Sequence, residues 1–207
     1  MKNLLRYFII SILLPVSITT FAQSDNKTKE NETTFGVQFG YNQHWLVQDD
    51  FDFDSKNGYM LGMFINKPYG KFIALSYVWQ VQQMGYQITN TTDPNLEKVV
   101  INQNYIQIMG GIHLKPTKLI DLSAHAYVGV GNSKSQWHFN TGVEERENPN
   151  FRGVDAGAKL GATIWLKKIG LGAEYYHGMV NTDKSTGPTF VFNNRAYAVT
   201  AKFIIED

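Results

Sequence analysis

From residue 34 onward, apolar residues alternate with small or polar ones through segment after segment. The first segment is the plainest. Phe35, Val37, Phe39, Tyr41 and Trp45 hold one parity, while Gly36, Gln38, Gly40, Asn42 and His44 hold the other. A period of two places these sets on opposite faces of a strand. The pattern predicts eight strands, near 34–46, 58–66, 71–88, 99–114, 119–131, 153–166, 169–180 and 194–206. Their connections alternate in length: 66–70, 115–118 and 167–168 are short, whereas 47–57, 89–98, 132–152 and 181–193 are long and polar.

An even strand count with short turns at one end and long loops at the other is the layout of a bacterial outer-membrane barrel. The expected fold is all-β: an eight-stranded antiparallel transmembrane β-barrel, an up-and-down meander. Both termini would then lie in the periplasm and the four long loops outside. Alternation alone also fits a soluble, lipocalin-like carrier with its apolar face inward. The composition of the second face separates the two. In the fifth segment Asp121, Ser123, His125, Tyr127, Gly129 and Gly131 oppose Ile120, Leu122, Ala124, Ala126, Val128 and Val130. In the sixth, Asp155, Gly157, Lys159, Gly161 and Thr163 oppose Val154 through Leu166. A water-facing exterior would carry many more charges. A Gly-rich polar face with few charges suits a narrow filled interior, so the apolar face is read as the lipid face.

The dimensions agree with that reading. Phe35 and Trp45 share the apolar face ten residues apart, about 34 Å along the strand or roughly 26 Å vertically at a tilt of about 40°. That is close to an apolar band of ~25 Å with an aromatic at each interface, a duty Tyr197 and Phe203 would share on the last strand. In the third segment Ile73, Leu75, Tyr77, Trp79 and Val81 hold one parity, after which Met84, Tyr86 and Ile88 take the other. This predicts a β-bulge near Gln82 and Gln83.

The first 22 residues have a different character. Lys2 and Arg6 open them, an apolar stretch runs from Leu4 to Ile18, and Thr20, Phe21 and Ala22 close them. This is signal-peptide anatomy with cleavage after Ala22; Ser11, Pro15 and Ser17 interrupt a stretch already short for a membrane anchor. Residues 23–33 are polar and read as a flexible periplasmic lead-in, leaving 34–207 as the barrel domain. Of 19 basic residues the leader holds two, and the remainder nearly balance 18 acidic ones, which gives no sign of nucleic-acid binding. The absence of Cys removes thiol catalysis and a Cys-linked lipid anchor.

The last third, LGLGAEYYHGMVNTDKSTGPTFVFNNRAYAVTAKFII, resembles the PorT-like outer-membrane β-barrel proteins of Bacteroidota. The residues that carry the likeness are Tyr176, Gly178, Met179, Asn181, Asn194, Arg195 and Phe203, joined by Asp155-x-Gly157 and the Phe21-Ala22-Gln23 end of the leader. Met179 stands where the family has Leu, and the chain ends Ile204-Ile205-Glu206-Asp207 rather than on an aromatic. The resemblance implies a non-enzymatic outer-membrane barrel, structural or accessory to an envelope or secretion complex. Its partners would be outer-membrane lipid and lipopolysaccharide, the barrel-assembly machinery during insertion, and an envelope protein. The protein would be a monomer without a cofactor.

By parity Asp121, Lys159, Glu174 and Lys202 point inward with His113 and His125. If Leu166 pairs with Ile169, Glu174 faces Gly161, one diagonal step from Lys159; if Leu114 pairs with Ile120, His113 faces Asp121. Oppositely charged partners offset desolvation in a narrow interior, so a salt-bridge network filling the barrel is expected, ahead of an ion path. The five His residues show no metal-ligand spacing. An outer-membrane lipid-modifying hydrolase of the lipid A deacylase kind is an alternative. His177-Gly178-Met179 puts a His in a comparable place, with Met where the nucleophile would stand. The Asp50-x-Asp52-x-Asp54 spacing lacks the Gly and Glu of a calcium loop, with Ser55 and Leu61 in their places. Trp137, His138 and Phe139 form the most interaction-like cluster of the long loops, and Glu144-Glu145-Arg146-Glu147 reads as solvated surface.

Overall fold

A computed structural model describes residues 32–47, 54–89, 93–148, 151–181 and 193–206. The expected leader, nearly all of the lead-in, residues 48–53 of the first long loop and residues 182–192 of the fourth lie outside the described residues. Among the described residues nine strands follow one another: β1 (Thr34–Val47), β2 (Asp54–Pro68), β3 (Ile73–Ile88), β4 (Leu96–Leu114), β5 (Ile120–Phe139), β6 (Gly142–Glu147), β7 (Val154–Leu166), β8 (Ile169–Gly178) and β9 (Asn193–Glu206). Every pairing is antiparallel, and β1 pairs with both β2 and β9. The remaining pairs run β2–β3, β3–β4, β4–β5, β5–β7, β7–β8 and β8–β9. Eight strands therefore close on themselves as a barrel, and β6 stands outside the ring as a partner of β5 alone.

The barrel is apolar outside and polar inside. Leu61, Leu75, Val81, Leu122, Val128, Leu160, Ile164, Leu171 and Val199 are exposed, while Gln38, Asn42, Gln80, Gln107, Lys159 and Glu174 are buried. The inversion removes the lipocalin-like alternative, which needs its apolar face inward. Closure leaves no open sheet edge in the ring, as a strand structure inside hydrocarbon requires.

Three expectations are corrected. Residues 132–152 are not one loop: β5 runs on to Phe139, turns at Asn140 and Thr141, and returns as β6, with Phe139 opposite Gly142. This hairpin rises beyond the barrel, and Gly142 at φ 151° takes a backbone conformation that other residues rarely adopt. Second, β3 has no bulge at Gln82 and Gln83, since its register against β4 is unbroken from Ile73 to Ile88. The irregularity lies across from it in β2, between Ser55 and Met60. Met84 continues the inward parity and is buried, so the pattern shift marks an apolar plug inside the barrel. Gly85, with φ 154°, brings its Cα so near β4 that an added Cβ would lie 2.0 Å from the Ile101 carbonyl oxygen. Third, β2 begins at Asp54 and β4 at Leu96, so the first two long loops are shorter than expected.

Candidate functional site

The interior is built in layers, each supplied by inward residues of several strands. Towards the short turns, His113 Nδ1 lies 2.7 Å from Asp121 Oδ2. The contact is diagonal, because His113 pairs with Ser123 and Leu114 with Leu122. The expected register, Leu114 with Ile120, is thus two residues off, since the last β4–β5 pair encloses residues 115–121 rather than 115–119. His125 stacks edge-on to His113 at 5.2 Å. A cavity of about 10 Å³ beside them is lined by Asn66, Ser76, His113, His125, Lys159 and Lys202, among others, room for about one water.

Glu174 is the centre of the next layer. Lys202 Nζ lies 2.8 Å from its Oε1 and Lys159 Nζ 3.4 Å from its Oε2. The Tyr176 hydroxyl donates to Oε2 at 2.8 Å, and Lys202 also donates to Thr163 at 3.2 Å. Leu166 pairs with Ile169 and Gly161 with Glu174, as the parity reading supposed, which sets Lys159 one diagonal step away. All six residues named for the interior network are buried.

Sequence reasoning passed over two further layers. Above Glu174, the Gln80 amide nitrogen lies 2.8 Å from the side-chain oxygens of both Gln82 and Gln107. Its oxygen accepts from Gln38 at 2.8 Å. Nearer the long loops, His44 Nε2 is 3.1 Å from Asn194 Oδ1, while its Nδ1 meets the Gly85 carbonyl. Asn194 donates to Asp155 at 3.1 Å and to Tyr105 at 3.3 Å, and Tyr127 donates to Asp155 at 3.2 Å. Met84, Tyr105 and Phe151 close this end as an apolar cluster. The available signal was uncharged: Gln38, Asn42, Gln80, Gln82, Gln103 and Gln107 all hold the inward parity.

The residues quoted for the family likeness gather around these layers. Tyr176 and Asn194 are buried. Gly178 fits against Asn194, whose backbone oxygen would lie 2.8 Å from an added Cβ. Arg195 is half-buried opposite Trp45 and His177. Asn181 follows the end of β8, half-buried, and Met179 is exposed. Phe203 is on the outer face, 6.3 Å from Phe39. Phe35, half-buried, pairs with Ile65. At the long-loop end Trp45 and Tyr197 meet at 5.0 Å, and Tyr175 joins Tyr197 at 5.2 Å.

Among the described residues no Ser hydroxyl is a hydrogen-bond partner of His44 or His177. The Nδ1 of His177 lies 3.4 Å from the Tyr175 hydroxyl, and His44 is engaged as above. Among the described residues no three His, Asp or Glu side chains converge to hold a metal ion. Trp137 and Phe139 are not displayed, contrary to expectation. Both are half-buried, stacked at 6.5 Å, and packed on Leu96, Val99 and Ile101 in a small apolar core above the barrel. Arg146 lies over the Trp137 ring at 4.7 Å and binds Glu144 at 2.7 Å. That contact holds the Glu144 carboxyl below the usual carboxylate range. Lys134 pairs with Glu145 at 2.7 Å.

The solved structure of Neisserial surface protein A is similar in fold, with a TM-score of 0.52 at 10% identity over 83% of this chain and 98% of that one. Ail, the attachment invasion locus protein of Yersinia pestis, in complex with the heparin analogue sucrose octasulfate, gives a TM-score of 0.50 at 12% identity, over 84% and 99%. At such identities the likeness is one of fold. No curated protein sequence matches the chain. The family model described as an outer membrane protein beta-barrel domain matches residues 21–184. The chain belongs to that family, and its place is the outer membrane.

Proposed function

We propose that this outer-membrane barrel is non-enzymatic and acts through the structure it raises above the membrane, as an accessory to an envelope or secretion complex of the PorT-like kind. The carrying observation is the contrast between a closed lumen and a built extension. Four layers of hydrogen-bonded side chains fill the lumen, and Met84, Tyr105 and Phe151 cap it. The β5–β6 hairpin, in contrast, is ordered by its own apolar cluster and by Arg146 over Trp137. A sealed interior offers neither a conduit nor a reacting group, whereas an ordered projection offers a surface to a partner. In this reading both termini lie in the periplasm, the leader is removed on export, the protein is monomeric, and no cofactor takes part.

The test shortens the hairpin by joining Ser133 to Asn148 through a short Gly-Ser link and follows surface delivery of secreted proteins in the producing cell. Loss of delivery to the level of a gene deletion, with the heat-dependent gel mobility of an intact barrel retained, is expected. Full delivery with the hairpin gone would reject the proposal. Hydrolysis of lipid A by the purified protein would replace it with the lipid-modifying reading.

A further inference from the structure

The two ends of the barrel differ in how they treat charge. At the long-loop end cations and carboxylates are interspersed, and two of the cations are paired, Lys134 with Glu145 and Arg146 with Glu144. At the short-turn end two lysines lie in or beside each of the three turns: Lys67 and Lys71, Lys115 and Lys118, Lys167 and Lys168. The described carboxylates at this end are few. Asp121 is turned inward to His113, and Glu32 and Glu206 sit in the terminal segments.

Backbone hydrogen bonds join the turns to their neighbours around the rim. Lys115 N donates to Phe72 O at 2.8 Å, Trp165 N to Leu119 O at 2.8 Å, and Ile204 N to Lys168 O at 2.9 Å. The backbones of Lys115 and Lys168 are thereby tied into the rim. Lys67 continues the outward parity of Met63 and Ile65, opposite Leu75, so it leaves the barrel sideways at the edge of the lipid face. Lys71 lies 5.5 Å from the exposed Phe72 ring. Lys167 and Lys168 form the turn between the exposed, paired Leu166 and Ile169. Lys167 also holds φ 58°, a left-handed conformation that Gly or Asn adopts at lower cost.

We infer that the short-turn rim is a binding surface for anionic phospholipid headgroups. Ammonium groups set beside outward apolar side chains meet a bilayer at two depths, with stems and rings at the acyl boundary and charges among the phosphates. An acidic soluble partner would need the charges turned along the barrel axis, and Lys67 is turned away from it. The inference rests on the barrel lying in a bilayer, and it holds whichever leaflet this end faces.

The test places the full-length mature protein in nanodiscs of phosphatidylethanolamine with a minority of phosphatidylglycerol and counts retained lipids by native mass spectrometry. Phosphatidylglycerol should be enriched over the bulk by roughly fivefold or more, the ratio that about one surface lysine contributes. Raising the salt from about 0.1 to about 1 M shortens the screening length from about 10 to about 3 Å and should abolish the enrichment without any substitution. Gln at all six lysines should do the same, while Lys134→Gln with Arg146→Gln at the far end should leave it intact. Wild-type protein that retains the two lipids at their bulk ratio overturns the inference, as does enrichment that survives the six substitutions. A protein that never shows barrel gel mobility in the discs fails a different claim, that of membrane insertion.

Discussion

Glu174 is the residue on which the interior charges depend. Replacing it by Gln keeps its size and leaves two ammonium groups, Lys159 and Lys202, without their carboxylate. Both lysines are buried, with side-chain exposures of 1% and 6%. Stranding one buried charge typically costs about 3–5 kcal/mol, and here two share the loss, so Glu174→Gln should destabilise the barrel by about 5 kcal/mol. Lys159→Met is the informative contrast. It removes the longer ion pair, at 3.4 Å, while Glu174 keeps Lys202 at 2.8 Å and the Tyr176 hydroxyl at 2.8 Å. No charge is orphaned, so the cost should be about 1 kcal/mol. Adding Lys159→Met to Glu174→Gln removes one stranded cation and should restore about 1–2 kcal/mol, which against the separate costs is a coupling of about 2–3 kcal/mol, within the range for contacting residues. The assay is reversible urea unfolding in lipid vesicles, followed by Trp fluorescence and checked by gel mobility. Glu174→Gln within about 1 kcal/mol of wild type, or a Lys159→Met variant less stable than Glu174→Gln, would refute the view of Glu174 as shared anion.

Gly85→Ala should lower stability by about 1–3 kcal/mol, since its Cβ would lie 2.0 Å from the Ile101 oxygen. Gly110→Ala, with nothing within 4 Å, should stay within about 0.5 kcal/mol; equal thermal melts for the two would contradict the close approach. Phe151→Ala should cost about 3 kcal/mol by unpacking the cap on Met84 and Tyr105, and a melting temperature unchanged from wild type would show that the cap is not packed. In the β5–β6 hairpin, Arg146 depresses the Glu144 carboxyl. The support from this pair is therefore complete above the unfolded value of about 4.3 and is lost as the pH falls through the depressed folded value. Hairpin amide exchange, corrected for intrinsic rate, should accelerate only on that acid limb, and a rate equal at neutral pH and below the limb would remove the pair as a support.

The alternation made the barrel legible because lipid and lumen demand opposite chemistry at successive residues. Leu166 opposite Ile169 followed from a two-residue turn that leaves only one register. The turn between β4 and β5 is longer and allowed the two-residue error at His113. The hairpin was missed because in residues 132–147 the apolar alternation shrinks to Trp137 and Phe139 on one face, among polar and charged neighbours. Met84 was misplaced because apolar was equated with outward, whereas here an apolar side chain plugs the lumen. Charges drew notice to Glu174 and its lysines, while the Gln80 layer and the Asn194–Asp155 contact depend on amides that parity alone could have raised.

The order in which these contacts lie along the chain bears on how the barrel is made. Each buried ion pair joins strands adjacent in both sequence and sheet: His113 with Asp121 across β4 and β5, Lys159 with Glu174 across β7 and β8, Glu174 with Lys202 across β8 and β9. The bonds that span most of the chain, His44 to Asn194 and Asn194 to Tyr105, are not ion pairs. A nascent hairpin therefore neutralises its own charges before it enters hydrocarbon, where an unpaired ion is most costly. The seam between β1 and β9 can be left to close last, by hydrogen bonds that tolerate waiting.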